Sequence, residues 1–258
     1  MSERRVLVPE FDFSLSQAGE RFVMTREFSH YIERVLRIKM GTTIELCDGK
    51  QHCWSAQVLS EEDGQISCVL QDKLPVKSRP YPIFLAQSLP KGDKFDLILR
   101  QGTELGISGF FPFFSERSIV RLDEKKRLRR LDRWRKITRE AARQSGRDQI
   151  PFVEMPVSFN DLFPLLPPHL PYLLCWEEAQ GYPLKQWLQE QRQPPQGIVI
   201  IVGPEGGFSS KEVKKSELDG AIPVGLGSLI LRTETAGNSV ASILQFTFGL
   251  LGGDKPLK

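Results

Sequence analysis

The stretch Ile198-Val-Ile-Ile-Val-Gly203-Pro-Glu-Gly-Gly207-Phe-Ser-Ser-Lys-Glu212 decides how this chain folds. Its first five residues are apolar and β-branched, the pattern of a strand covered on both faces, as strands of parallel sheets usually are. Three glycines follow and let backbone approach a ligand closely. Ser209 precedes Glu212 by three residues, a capping-box signature that starts a helix with its first amide groups unpaired. Strand, glycine loop and helix start in that order place the loop at the carboxyl end of a strand, where open α/β sheets bind ligands. The loop has neither GxGxxG spacing nor a GK[ST] ending, which argues against a nucleoside triphosphate. Taken alone, it reads equally well as an ordinary strand-to-helix turn.

Outward from this stretch, short apolar strands alternate with helical segments from Ile83 onward, the pattern of a parallel α/β sheet. Strands are expected over Ile83 to Ala86, Gly109 to Phe113, Tyr172 to Trp176, Ile198 to Val202 and Pro223 to Leu226. Asp93 caps a helix through Leu105 that stops at Gly106. A long helix runs from about Asp123 to Gln144, with Leu128, Leu131, Trp134, Ile137 and Ala141 on its apolar side and its arginines outward. Thr235 to Leu251 has helical spacing through Val240, Ile243, Leu244 and Phe248. The first 70 or so residues look β-rich, with Thr43 to Val58 alternating about the Asp48-Gly49 turn. Glu27 to Arg37 adds one helix to what reads as a small β-barrel or sandwich. Asp72 to Pro82, with Pro75, Pro80 and Pro82, reads as a linker. We therefore expect one domain over 1–72 and a second over 80–258.

At 258 residues and 40% hydrophobic content, the chain can bury a real core. No run approaches the roughly 20 apolar residues that cross a bilayer, and the opening Met1-Ser-Glu-Arg-Arg-Val lacks a signal-peptide apolar region, so a cytoplasmic protein is expected. Four cysteines without CxxC pairing and three scattered histidines suggest neither a metal site nor a disulfide framework. Charge is uneven: Arg121 to Arg147 holds 12 Lys or Arg against 4 Asp or Glu, whereas the whole chain has a net charge of only +3. Such a stripe is the footprint of a nucleic-acid binder, although a solvated helix face has the same look.

Three groups of motifs together resemble one family. They are Leu89-Pro-Lys-Gly-Asp-Lys with Thr103-Glu-Leu-Gly106 and Ser115-Glu-Arg-Ser118; Glu140-Ala-Ala-Arg-Gln144-Ser-Gly-Arg147; and Gly203 to Gly207 with Leu226-Gly-Ser-Leu-Ile-Leu-Arg232-Thr-Glu-Thr-Ala236. In order and spacing they resemble the bacterial 16S ribosomal RNA uracil-N3-methyltransferases of the SPOUT superfamily, and the opening barrel resembles that family's PUA-like RNA-binding domain. The resemblance implies an α/β fold with a SPOUT-type parallel sheet, a carboxyl-terminal trefoil knot and a homodimer. It also implies S-adenosylmethionine as methyl donor, held by Leu174 to Glu177, Gly203 to Gly207 and Leu226 to Ala236. The residues it places at the donor are Leu174, Gly203, Pro204, Glu205, Gly207, Leu226, Gly227, Ile230, Leu231, Thr235 and Ala236. One departure is Leu229, where family members usually carry a basic residue.

Methylating N3 of uracil requires removal of the imide proton and stabilisation of the resulting anion. Because N3 lies on the Watson–Crick edge, the base must be single-stranded or flipped. Arg232 is the candidate for stabilising charge on the uracil carbonyls. Glu234 is a candidate proton acceptor, or equally an acid favoured at a helix start. Ile230 and Leu231 read as core even if their backbone holds the donor. RNA contacts are expected from Arg4, Arg5, His30, Arg34 and Arg37 at one end of the chain and from Arg139, Arg143, Gln144 and Arg147 in the basic stripe, giving affinity for small-subunit RNA without base reading. Gln144, Ser145 and Arg147 read equally as partner-subunit contacts. Two other classes remain open on sequence: a non-catalytic RNA-binding or ribosome-assembly protein on the same fold, and a phosphate-ligand enzyme using Gly203 to Gly207 as an anion cradle.

Overall fold

The computed structural model describes residues 5–76, 80–120, 122–179, 181–249 and 251–253. The chain divides into two compact units, Met1–Arg79 with Ala142–Ile150, and Pro80–Ala141 with Pro151–Lys258. The recruitment of Ala142–Ile150 into the first unit has no counterpart in the sequence reading. Arg4 among the expected RNA contacts, Arg121 of the basic stripe, and Lys77 to Arg79 of the expected linker lie outside the described residues.

In the first unit, β1 (Arg5–Leu7), β2 (Arg21–Val23), β3 (Thr43–Cys47), β4 (Cys53–Glu62) and β5 (Gln65–Leu74) form one sheet in the order β1-β3-β4-β5-β2. The β1-β3 pair is parallel and the others are antiparallel. Alternate residues turn inward, so Val6, Ile44, Leu46, Val58, Ile66, Cys68 and Leu70 pack with Met24 and Ile32. Ile32 comes from the π-turn Tyr31–Val35, which continues the short helix α1 (Arg26–His30). His30, Arg34 and Arg37 are exposed on this segment.

The hairpin turn is secured by Asp48, whose buried carboxylate accepts from the amides of Lys50 at 2.7 Å and His52 at 3.1 Å and meets the His52 ring at 2.6 Å. Cys47 and Cys53 then face each other in register, and a disulfide joins them. This corrects the expectation of no disulfide: a C-x5-C spacing matches no standard framework, and only the turn brings the thiols together.

Arg5 is corrected too. Its side chain is only 9% exposed, paired with Glu45 at 2.8 Å and with Asp148, and it also donates to the Gly146 carbonyl at 2.6 Å. Glu45 and Asp148 are themselves buried, so the guanidinium is a buried ion-pair partner of both and is turned away from RNA.

In the second unit, β6 (Ile83–Ser88), β7 (Ile107–Phe114), β8 (Phe152–Val153), β10 (Tyr172–Cys175), β11 (Ile198–Val202) and β12 (Ala221–Val224) make a parallel sheet in the order β12-β10-β11-β6-β7-β8, with β9 (Val157–Ser158) also pairing with β7. The helices are α2 (Lys94–Glu104), α3 (Glu124–Gln144), α4 (Leu184–Glu190), α5 (Ser210–Leu218) and α6 (Thr233–Phe248). Every residue of β11 is buried. Ile198, Ile200 and Val202 pack into a core with Phe95, Ile98, Trp134, Val240 and Leu244. Val199 and Ile201 point the other way, against Phe113, Phe159, Phe208 and Val213. Each such side chain contributes about 1.5–3 kcal/mol on burial.

Helix α6 lies close on the sheet because Gly237 has no side chain: a Cβ there would come within 2.9 Å of Leu85. Its buried Gln245 accepts from the Tyr81 amide at 3.1 Å and donates to the Tyr81 carbonyl at 2.8 Å, supplying the partners this chain entry needs.

Two apolar expectations fail, since Leu128 of α3 is 50% exposed and Ile243 of α6 is 43% exposed. Both obey helical periodicity but lie at the margin of the buried face. The last strand falls at Ala221–Val224, two residues before the expected start and end, because Gly220 closes α5 immediately before it. Short α4 lacks a side-chain cap and had no clear start signal in the sequence.

Replacing Arg5 removes a buried ion-pair partner from Glu45 and Asp148, so Arg5→Ala is expected to lower unfolding stability by about 3–5 kcal/mol. Urea denaturation measures this, and Asp148→Asn in the same chain should recover part of the loss; an Arg5→Ala protein as stable as the parent would refute the role.

Candidate functional site

The loop after β11, the loop after β10 and the segment between β12 and α6 all emerge at the carboxyl ends of adjacent parallel strands. They enclose a cavity of about 1000 Å³ lined by Trp176 to Glu178, Val202 to Glu205, Gly207, Gly225 to Thr233 and Ala236, with Lys94 at its edge.

The glycine loop is held from three sides. At its start, the Gly203 carbonyl accepts from the buried Thr233 hydroxyl at 2.6 Å, and Thr233 accepts from Gln87 Nε2 at 2.9 Å. Behind it, Arg117 donates to the Gly206 carbonyl at 2.9 Å. At its end, Ser209 and Glu212 form the complete capping box that their spacing predicts. Ser209 also donates to Glu116 at 2.7 Å, and Glu212 accepts from the Glu116 amide at 2.9 Å. The Ser115 to Ser118 motif is therefore a buttress for the loop. Gly207 has φ +67° and Gly227 φ +111°, backbone states that a side chain would strain.

Charge at the mouth is organised by Lys94. Its ammonium lies 3.2 Å from Glu205 and 3.2 Å from Glu234, and Arg232 comes within 4.0 Å of the other oxygen of Glu234. Hydrogen bonding to Glu205 raises the Lys94 pKa despite some desolvation, with Glu234 adding to the effect. For Glu205, burial pushes the carboxyl up, but its own backbone amide, Lys94 and the Lys91 amide outweigh that and leave it lowered. Both groups are charged at neutral pH. With Lys94 and Glu205 each about one-third exposed, the pair is worth no more than about 1 kcal/mol to stability. Cys175 also lines the cavity, and burial pushes its thiol up to about 12, which keeps it protonated at neutral pH.

Of the residues expected around a donor, Gly203, Pro204, Glu205, Gly207, Leu226, Gly227, Ile230, Leu231 and Ala236 are brought together around the cavity, with Arg232, expected to be catalytic, beside them. Leu174 is not: it is fully buried in the core under the sheet, and its neighbours Cys175 to Glu177 take the wall instead. Thr235 and Glu234 turn away into an adjoining groove between α2 and α6, lined also by Gln101, Asn238 and Ser242, because helical geometry rotates them off the face that Thr233 and Ala236 present. Ile230 is 82% exposed and Leu229 77%, so the reading of Ile230 as core is wrong, while Leu231 is half-buried against the core. Lys94, Gln87 and Arg117 were missed as parts of the site, whereas Thr233 falls inside the expected Leu226 to Ala236 segment. Lys94 ends the Leu89-Pro-Lys-Gly-Asp-Lys motif, and nothing local marks its reach to two other segments.

The cavity's chemistry separates the candidate ligands. Glu177, Glu178 and Glu205 line it, a poor setting for phosphate and a suitable one for a ligand with cationic centres. Apolar Val202, Leu226, Leu231 and Ala236 offer a wall for a flat ring.

On α3, Lys125, Arg129, Arg135 and Lys136 are exposed, whereas Arg133 is drawn to Asp96. Arg139 is half-buried, Gln144 is exposed, and Arg143 places its guanidinium 4.9 Å from the centre of the Tyr31 ring. Arg147 is half-buried, and burial pushes its guanidinium down to about 10.

A family model described as RNA methyltransferase domain matches residues 77–245, and one described as RNA methyltransferase PUA domain matches residues 25–71. The chain is 35% identical over 241 residues to the ribosomal RNA small subunit methyltransferase E of Bacillus subtilis, covering 91% of this chain and 93% of that protein. The protein of the same name from Aquifex aeolicus is 34% identical, over 90% of this chain and 97% of its own length. Among solved structures, the ribosomal RNA small subunit methyltransferase E of Neisseria gonorrhoeae bound to S-adenosyl methionine superposes with a TM-score of 0.82 at 29% identity, covering 94% of this chain and 97% of that one. With the glycine loop, the Arg232 segment and a cavity for a cationic ligand assembled on one sheet edge, these matches lead to one conclusion: the chain belongs to the ribosomal RNA small subunit methyltransferase E family, RNA methyltransferases that carry a PUA domain.

Proposed function

We propose that this protein methylates N3 of a uridine in the 16S RNA of the small ribosomal subunit, with S-adenosylmethionine as donor. The observation that carries the reading is the single cavity in which the Gly203 to Gly207 loop and the Arg232 segment meet. Its volume, apolar wall and carboxylates suit an adenosyl group joined to a sulfonium and an α-ammonium. Gly203, Gly207, Leu226, Gly227 and Leu231 would hold the donor largely through backbone, with Pro204, Glu205, Ile230 and Ala236 completing the wall. Bound there, the donor supplies an electrophilic methyl group.

The chain's own residues supply the rest. Arg232 lines the cavity with its side chain 81% exposed, free to face negative charge on the uracil carbonyls once N3 loses its proton. Glu234 is the candidate to accept or relay that proton from the adjoining groove. The exposed cations of α3, with Arg139, Arg143, Gln144 and Arg147, and the exposed His30, Arg34 and Arg37 are proposed to hold RNA phosphates, leaving selection of the uridine to RNA shape and splayed bases. Residues 1–72 are proposed as the RNA-binding domain and 80–258 as the catalytic domain.

The motif resemblance to the SPOUT superfamily supports two further parts of the proposal, a trefoil knot at α6 and a homodimer. Exposed Leu97 on α2 and Ile243 and Phe246 on α6 are apolar surface of the kind a second copy would cover. Among the described residues, no helix is long and apolar enough to cross a membrane, and a cytoplasmic location is proposed with the ribosomal substrate.

Arg232→Ala is expected to bind S-adenosylmethionine with near-parental affinity by calorimetry, yet lose roughly 100-fold or more of its methyl transfer to small-subunit RNA. Mass spectrometry of the RNA would show one unmethylated uridine, and full turnover by a folded Arg232→Ala protein would remove the role. Thr233→Val should act the other way: by freeing the Gly203 carbonyl it is expected to weaken cofactor binding roughly tenfold, about 1.4 kcal/mol, the size of one lost buried hydrogen bond. Unchanged calorimetric affinity would separate the Thr233 bond from the donor site.

A further inference from the structure

Glu234 does not line the cavity, and Glu205 does; Lys94 is the group that touches both. Its position has no explanation in helix stability. It is the first residue of α2, at the helix end where the macrodipole disfavours a cation, and its partly exposed ion pairs add little to folding. Glu205 belongs to the loop that shapes one wall of the cavity, while Glu234 follows Arg232 by two residues in the first turn of α6. The Lys91 amide, from the same turn before α2, also donates to Glu205 at 3.3 Å.

We propose that Lys94 is a positioning residue for methyl transfer: it ties the donor loop to the Arg232–Glu234 turn, so that closing the loop on cofactor sets the groups that act on the base. It touches no reacting atom. The inference rests on the donor site proposed above. An ammonium held by two carboxylates from separate segments gives each a fixed partner, and a carboxylate that loses this partner turns toward solvent or toward Arg232, the nearest other cation to Glu234. In the second case Arg232 is drawn from the base it should face.

The test is a double-mutant cycle on Lys94→Gln and Glu234→Gln, read by calorimetric affinity for S-adenosylhomocysteine and by kcat and KM for methyl transfer to small ribosomal subunits lacking the modification. Lys94→Gln is expected to lower kcat roughly 100-fold, as a misplaced catalytic group does, and to weaken cofactor affinity about fivefold, the lower end of measured site-to-site coupling. Lys94→Arg, which keeps the charge, should recover to within roughly tenfold of the parent kcat. Glu234→Gln should weaken cofactor binding when Lys94 is present and add nothing in the Lys94→Gln background, the non-additivity of residues acting as one unit. Additive effects, a kcat for Lys94→Gln within about twofold of the parent, or equal impairment of Lys94→Arg and Lys94→Gln would overturn the proposal. Should Lys94→Gln fail to fold, Glu205→Gln takes its place in the same cycle. The affinity cycle is read without turnover, so a parent protein that binds cofactor but leaves every uridine unmethylated would sink the methyltransferase reading and not the Lys94 linkage.

Discussion

One hydrogen bond, from the Thr233 hydroxyl to the Gly203 carbonyl, joins the two segments on which the site depends. It is made where β11 ends and α6 begins, two elements already fixed by burial: β11 has no exposed residue, and α6 presses on the sheet through Gly237. The bond is short and out of water, so neither partner has an alternative that costs less than keeping it. Gln87 completes the arrangement from the end of β6, the strand beside β11. Two strand ends and a helix start thus hold the start of one loop, and Arg117 and the Ser209–Glu212 box hold the rest of it.

This division of labour explains why the fold and the site differ in rigidity of design. The walls of the cavity are backbone and aliphatic groups carried by the sheet, while the charged groups at its mouth lie on loops and helix starts. On the proposed function, binding and chemistry would be handled by different materials. On the proposed reading, a donor held by backbone would need few side chains with special roles, and the Leu226 to Arg232 segment carries two exposed apolar residues, Leu229 and Ile230.

Much of this was readable in sequence, for identifiable reasons. The β-branched run of β11 and the Ser209–Glu212 box are local signals, and the structure reproduces both. The parallel α/β sheet followed from strand and helix alternation. What sequence could not give was made by contacts far apart in the chain. The buried Arg5 pairs with Asp148 across 143 positions, and no periodicity records that. Lys94 meets Glu205 and Glu234 in the same way. Helical position misled as well as informed: Glu234 and Thr235 belong to the motif but rotate off the cavity, and Leu128 keeps the period while lying outside the packed face. The Cys47–Cys53 bond follows from a turn geometry that a count of cysteines does not contain.

The openness of Arg232 has a consequence for substrate size. A guanidinium with four-fifths of its side chain in solvent acts through a high dielectric, where its pull on a neighbouring anion is an order of magnitude weaker than in a dry site. On the proposed chemistry, the water around it has to be displaced by the incoming nucleic acid, and the adjacent Leu229 and Ile230 are placed to help form that dry rim. On that reading a free nucleoside, too small to exclude this water, would leave the charge wet, and the bulk of the macromolecular substrate would itself be part of what strengthens the charge.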